Sequence, residues 1–107
     1  MKEKLNIKME NIKQGDSSYC WVNIELGSAR VGKVRIKKIY SQLIIKNINI
    51  FSEFENRGYA RQTVDLFKET AREIIADRVR DTAKGFWTKM GFFDAGDGNF
   101  RWVHKAR

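Results

Sequence analysis

Up to Phe51 the apolar residues of this chain tend to fall on alternate positions, and from Ala60 onward they fall three or four apart. A period of two suits strands with one buried face, whereas a period near 3.6 suits a helix with one buried stripe. The switch predicts a chain that lays down a sheet first and packs helices against it afterwards, an α/β (α+β) arrangement. At 107 residues there is room for one core, so residues 1–107 are expected to form a single domain.

In the first half, Leu5, Ile7 and Met9 alternate with polar residues, and Gln14-Gly15-Asp16-Ser17-Ser18 is a turn-forming cluster. Tyr19 to Leu26 predicts a second strand. Val34, Ile36 and Ile39, interleaved with Arg35, Lys37 and Lys38, predict a third strand with one cationic face, in a hairpin with the second. A fourth, Leu43 to Phe51, sets Ile48 and Ile50 on one face and Asn47 and Asn49 on the other, a polar wall suited to a cleft.

In the second half, Ala60, Val64, Phe67, Ala71, Ile74 and Ile75 form a helical stripe, predicting a helix from Gly58 to Ala76. Asp77 to Asp81 fits a short strand, with a helical alternative left open by its charge. Ala83, Phe86, Trp87 and Met90 form a second, shorter helical stripe, with Thr82 or Asp81 as its cap and Gly91 at its end. Phe92-Phe93 and Phe100 to His104 predict a closing hairpin around Asp94-Ala95-Gly96-Asp97-Gly98-Asn99. The sum is a sheet of about six strands with two main helices.

Composition removes several classes. Hydrophobic residues make up 42% of the chain, too many for a disordered segment. No apolar run approaches the roughly 18 residues that span a bilayer, and the start leads into alternation, so a soluble, cytoplasmic protein is expected. Cys20 and His104 are the only residues of their kinds, which rules out an internal disulfide and a zinc site of four Cys or His side chains; no metal is expected, and Cys20 reads as a buried apolar residue. The formal net charge of +8 favours anionic partners: a phosphorylated cofactor, nucleic acid or an acidic protein.

The segment Ile50 to Gln62 runs from a strand end into a helix start. A helix N-terminus leaves backbone N–H groups without intrahelical partners, and a glycine there lets phosphate oxygens approach. Residues 57–62 are therefore a candidate pyrophosphate cradle, with Arg57 and Arg61 adding full charges. An ordinary helix entry has the same appearance.

Further on, Ala83-Lys84-Gly85-Phe86-Trp87-Thr88-Lys89-Met90-Gly91-Phe92 resembles the Ala-x-x-Phe-Tyr-x-Lys-x-Gly-Phe segment of the GNAT superfamily, the acetyl-CoA-dependent N-acyltransferases; Ala83, Phe86, Lys89, Gly91 and Phe92 match. Arg57-Gly58-Tyr59-Ala60-Arg61-Gln62 resembles that family's phosphate-binding segment at Arg57 and Gly58, with Ala60 for the usual central glycine and Gln62 for the final small residue. The likeness covers residues 43–104 and implies a GNAT-like mixed, mostly antiparallel sheet. It also implies acetyl-CoA as acyl donor, bound between two splayed strands. Ile50, Phe51 and Ser52 would pair with the pantetheine arm. Arg57, Gly58, Tyr59, Ala60, Arg61 and Gln62 would hold the pyrophosphate, with Phe86, Trp87 and Lys89 also on the cofactor side.

The implied reaction is attack of an amine on the thioester, with an acceptor such as a protein amine. Trp87 stands where the family often has the tyrosine that protonates the thiolate, and indole is too weak an acid to replace it. Tyr59 and Tyr40 are alternative acids. No carboxylate lies between Leu43 and Phe51, where the family often keeps its base; Glu53 and Glu55, just beyond, are the candidate catalytic residues, against a plain reading as solvated loop charges. The family's pair of helices after the first strand has no counterpart in residues 10–18, so an open acceptor side is expected.

Two other readings stand beside the enzyme. One is a catalytically degenerate GNAT fold kept for binding CoA, protein or nucleic acid, with Arg30, Lys33, Arg35, Lys37, Lys38 and Lys46 near Trp21 and Tyr40 as the nucleic-acid version. The other concerns the last strand, where Trp102 and His104 share a face: a partner surface or a strand-mediated homodimer, against plain packing on the second helix.

Overall fold

A computed structural model describes residues 4–8 and 18–105. Within them one sheet of seven strands runs in the order β1-β2-β3-β4-β5-β7-β6. The strands β1 (Leu5–Ile7), β2 (Cys20–Leu26), β3 (Ala29–Ile39) and β4 (Gln42–Ile50) follow one another antiparallel. The helix α1 (Tyr59–Thr70) then carries the chain over to β5 (Glu73–Ala76), which lies parallel to β4. After α2 (Lys84–Lys89), the hairpin β6 (Phe93–Gly96) and β7 (Asn99–Val103) closes the sheet, with β7 antiparallel to β5. No helix among the described residues is long and apolar enough to cross a membrane.

One apolar cluster holds these elements together. Ile24, Val34, Ile36, Ile45 and Ile74 reach inward from the sheet and are fully buried against Val64 and Phe67 of α1 and Trp87 and Met90 around α2. Each such side chain removed from water stabilises by about 1.5–3 kcal/mol. Trp87 also packs edge-on against Phe86 and Phe92, with ring centroids 5.1 and 4.8 Å apart. The Lys68 ammonium donates to the Met90 carbonyl, joining α1 to the end of α2. Cys20 is half-buried and packs on the edge of this core.

The predicted hairpin of residues 19–26 with the third strand is present, and its cationic residues share one face: Arg35 lies opposite Trp21, and Lys33 opposite Asn23. The last hairpin turns through Asp97 and Gly98, both at positive φ (56° and 80°), the conformation that a two-residue turn between twisted strands requires.

The predicted helix from Gly58 to Ala76 is too long at its far end. It stops at Thr70, and Ala71 is already extended (φ −88°, ψ 141°). The N–H groups of Arg72 and Glu73 both reach the Ser41 carbonyl. Ile74 sits three residues after Ala71, so it fits the helical stripe, yet its burial follows a strand: Ile74 and Ala76 are buried while Glu73 and Ile75 are only partly so. β-branched residues with a parallel partner at Gln42–Ile45 favour the strand.

The strand expected at Asp77 to Asp81 is accordingly a turn, with Arg78 at φ 52°. Neither Thr82 nor Asp81 caps α2 through its side chain; a 3₁₀ turn over Asp81–Ala83 leads in, and Asp81 pairs with Lys84 at 2.9 Å. Met9 and the Gln14 to Ser17 portion of the predicted turn lie outside the described residues, as does most of the stretch between β1 and β2.

Candidate active site

The register of β3 against β4 slips by one: Arg35 faces Asn47 while the next residue, Ile36, faces Ile45, so Lys46 is an extra residue in β4. Such a bulge bends its strand and shifts the phase of alternation. Leu43 and Ile45 are inward before it, and Ile48 and Ile50 are the partly buried, core-packing residues after it.

The same point is where β4 loses its other neighbour. The Asp77 N–H donates to the Ile45 carbonyl at 2.8 Å as the last bond of the β5 side. Arg78 then turns, and the Val79 N–H bonds to the Gly98 carbonyl at 2.7 Å, drawing the chain toward the β6–β7 turn. Past Ile45, no strand among the described residues pairs with β4 on the β5 side, and a cleft opens there.

Two cavities occupy this cleft and have Ile48, Ala60 and Phe86 in common. The first, of about 530 Å³, is bounded by Ile50 and by Gly58, Tyr59 and Arg61 at the start of α1. The second, of about 510 Å³, lies against Asp77, Arg78, Arg80 and Trp87 on one side and Arg35, Lys46 and Asn47 on the other.

The helix entry is shaped locally. A 3₁₀ turn follows β4 at Ser52–Phe54, Asn56 takes φ 64°, and Gly58 stands as N-cap at φ 81°. That value is open to glycine and strained for most other residues. The Gln62 N–H closes the first helical bond onto the Gly58 carbonyl at 3.0 Å. The amides of Tyr59, Ala60 and Arg61 precede that bond and have no intrahelical acceptor, at the positive end of the helix dipole.

The predicted site residues divide accordingly. Ile50, Gly58, Tyr59, Ala60, Arg61, Phe86 and Glu55 line the first cavity, and Trp87 lines the second. Phe51 donates its N–H to the Val31 carbonyl at 2.9 Å, toward β3. Ser52 accepts from the Glu55 N–H within the 3₁₀ turn. Arg57 lies over the Phe54 ring at 5.8 Å, exposed at the cleft rim. Glu53, Gln62 and Lys89 are exposed and line neither cavity. Tyr40 sits in the β3–β4 turn, 74% exposed, and lines neither.

Sequence reasoning misses the polar cluster at the second cavity. The Tyr19 hydroxyl donates to Oδ2 of Asp77 at 2.9 Å, and the Lys46 ammonium lies 3.5 Å from the same oxygen. Burial, followed by the hydrogen bond to Asp77, pushes the Tyr19 hydroxyl up to about 12, so it stays protonated. Lys37 and Lys46 stand 4.7 and 5.5 Å from the Tyr19 ring. Part of the signal is in the hairpin: a strand with Arg35 and Lys37 on one face, paired with 19–26, sets those cations beside Tyr19 and Trp21. Asp77 stays hidden in the sequence because its neighbours suit a separate strand.

No protein-family model and no curated protein matches this chain. Solved structures do. An acetyltransferase from Thermus thermophilus superposes with a TM-score of 0.59 at 21% identity, over 84% of this chain and 66% of that one. The Bacillus subtilis N-acetyltransferase YlbP, solved in complex with coenzyme A, gives 0.64 at 21% identity, over 83% of this chain and 70% of that one.

The chain has the GNAT fold.

The ribosomal-protein-S18-alanine N-acetyltransferase from Escherichia coli shares it at 10% identity, with a TM-score of 0.63 over 86% of this chain. This GNAT fold spans 66%, 70% and 74% of the lengths of the three proteins.

Proposed function

We propose that the chain binds acetyl-CoA in the cleft between β4 and β5 and transfers the acetyl group to an amine. The observation that carries this reading is the coincidence of two features: β4 loses its β5 neighbour after Ile45, and the start of α1, Gly58 to Arg61, lines the first cavity of the gap. Strand edges without partners accept an extended ligand as an added strand, and helix N-termini accept phosphate.

In this reading the pantetheine arm pairs with β4 near Ile50, and strand alternation from Phe51, whose N–H faces β3, turns Ile50 toward the gap. The pyrophosphate rests on the first amides of α1, with Arg57 and Arg61 at the rim. The thioester comes to where the two cavities meet, near Ile48, Ala60 and Phe86, and the amine arrives through the second. Acetyl-CoA supplies the activated acyl group, and the chain orients it. A thiol's reference pKa of about 8.5 makes thiolate a tolerable leaving group, so transfer does not require an acid at Trp87.

The buried Trp87 favours a second reading, a fold that binds CoA without turning it over. Calorimetric titration with acetyl-CoA at low and moderate salt, followed by an assay of thiol release with amine acceptors, separates the two. Saturable binding that survives salt, with thiol release, supports the enzyme. Binding without release leaves the second reading, and no binding at millimolar concentration removes both.

A further inference from the structure

The second cavity opens on a sheet face of unusual chemistry. Val34 and Ile36 point into the core, so their strand neighbour Arg35 points to the opposite face, in register with Trp21 on one side and Asn47 on the other. Arg35, Asn47, Asn49 and Asn23 are exposed there, and Trp21 is 46% exposed with the Lys33 ammonium 4.4 Å from its ring. At the cavity itself four cations, Arg35, Lys46, Arg78 and Arg80, surround a single lining carboxylate, Asp77. Tyr19 and Lys46 both reach Asp77 through Oδ2.

We infer that the acceptor is a free amine of an acidic polypeptide segment, laid across this face so that its carboxylates meet the four cations and its ammonium meets Asp77. This rests on the acetyl-transfer reading above. The charge pattern selects the partner: a cationic field attracts an anionic chain, and one carboxylate at the cavity selects the positive group within it. A polypeptide fits better than nucleic acid because the reaction needs a nucleophilic nitrogen. Alkyl amines have one, whereas the lone pairs of nucleobase amines are delocalised into their rings.

In the step, the ammonium gives a proton to water, the neutral nitrogen attacks the thioester carbon, the N–C bond forms and the C–S bond breaks. CoA leaves as the thiolate, which takes a proton from water, and the acetylated nitrogen loses its second proton.

The test uses three fluorescent probes of equal length: an acidic peptide with a free amino terminus, its Asn/Gln counterpart, and a single-stranded oligonucleotide. Anisotropy measures binding, and thiol release from acetyl-CoA measures transfer to each peptide. The acidic peptide is expected to bind and react on the order of tenfold better than the neutral one, with binding weakening steeply in salt. R35E and R80E, both at exposed positions, should remove most of that preference while leaving the urea midpoint unchanged. D77N should keep peptide binding and lose transfer. Equal transfer to both peptides overturns the inference and leaves the acetyltransferase standing, as does tighter binding of the oligonucleotide. Acidic-peptide binding without thiol release from any acceptor overturns the transfer reading and the acceptor role with it.

Discussion

The Tyr19 hydroxyl and the Asp77 carboxylate meet at 2.9 Å across 58 residues of sequence, tying the start of β2 to the residue after β5 over the intervening β3 and β4. The bond holds the turn that begins at Asp77 against the sheet, at the point where the cleft opens.

Because the folded state raises the Tyr19 pKa from 10.0 to about 12, the native chain keeps a proton between those values that the unfolded chain loses. The contribution is therefore complete below pH 10 and is lost as pH rises through 12. In absorbance titration at alkaline pH, one tyrosine should ionise late. Y19F should remove that late step and flatten the corresponding part of the alkaline decline in the urea midpoint.

Gly32 is buried in β3, paired with Ile50 of β4. A Cβ there would lie 2.4 Å from the Asn49 carbonyl oxygen and 3.1 Å from the Ile50 Cα, both backbone atoms that move only with the strand. G32A should cost about 1–3 kcal/mol of stability in urea unfolding. Because the displaced residues border the first cavity, acetyl-CoA affinity should fall as well.

Gly58 presents the opposite case. The nearest atom to an added Cβ is Gln62 Nε2 at 4.0 Å, so there is space, but φ is +81°. G58A should therefore lose about 1–2 kcal/mol through backbone strain alone. G58N should lose less, since asparagine tolerates positive φ. Calorimetry should rank acetyl-CoA affinity in the same order if the helix entry holds the pyrophosphate.

Trp87 lies between Phe86 and Phe92 in the core while lining the second cavity. W87Y should give up about 1–2 kcal/mol of packing. With a phenol available to the thiolate, it should raise kcat by as much as about 10²-fold. An unchanged kcat across the pH profile would mean that the thiolate leaves without an acid.

Much of the fold was legible because its signals are local. Alternation of Val34 and Ile36 with Arg35 and Lys37, the stripe of Val64 and Phe67, and the Asp97-Gly98 turn each depend on residues a few positions apart. The helix entry at Gly58 and the α2 segment were legible for the same reason. The far end of α1 was not: Ala71, Ile74 and Ile75 satisfy a helical spacing, and only pairing with β4 and β7 makes Ile74 and Ile75 part of a strand.

By itself the sequence determined the element types through β4, the entry into α1, the shorter helix and the closing hairpin, along with the cationic character of one sheet face. Period and turn chemistry are properties of neighbouring residues, so they are present before any long-range contact forms. Tertiary structure decided where α1 ends, that Lys46 is the bulged residue from which β4 leaves β5, and that Asp77 sits beneath Tyr19 among Lys46 and Arg35. Those outcomes depend on register and on partners tens of residues apart, which no local pattern encodes.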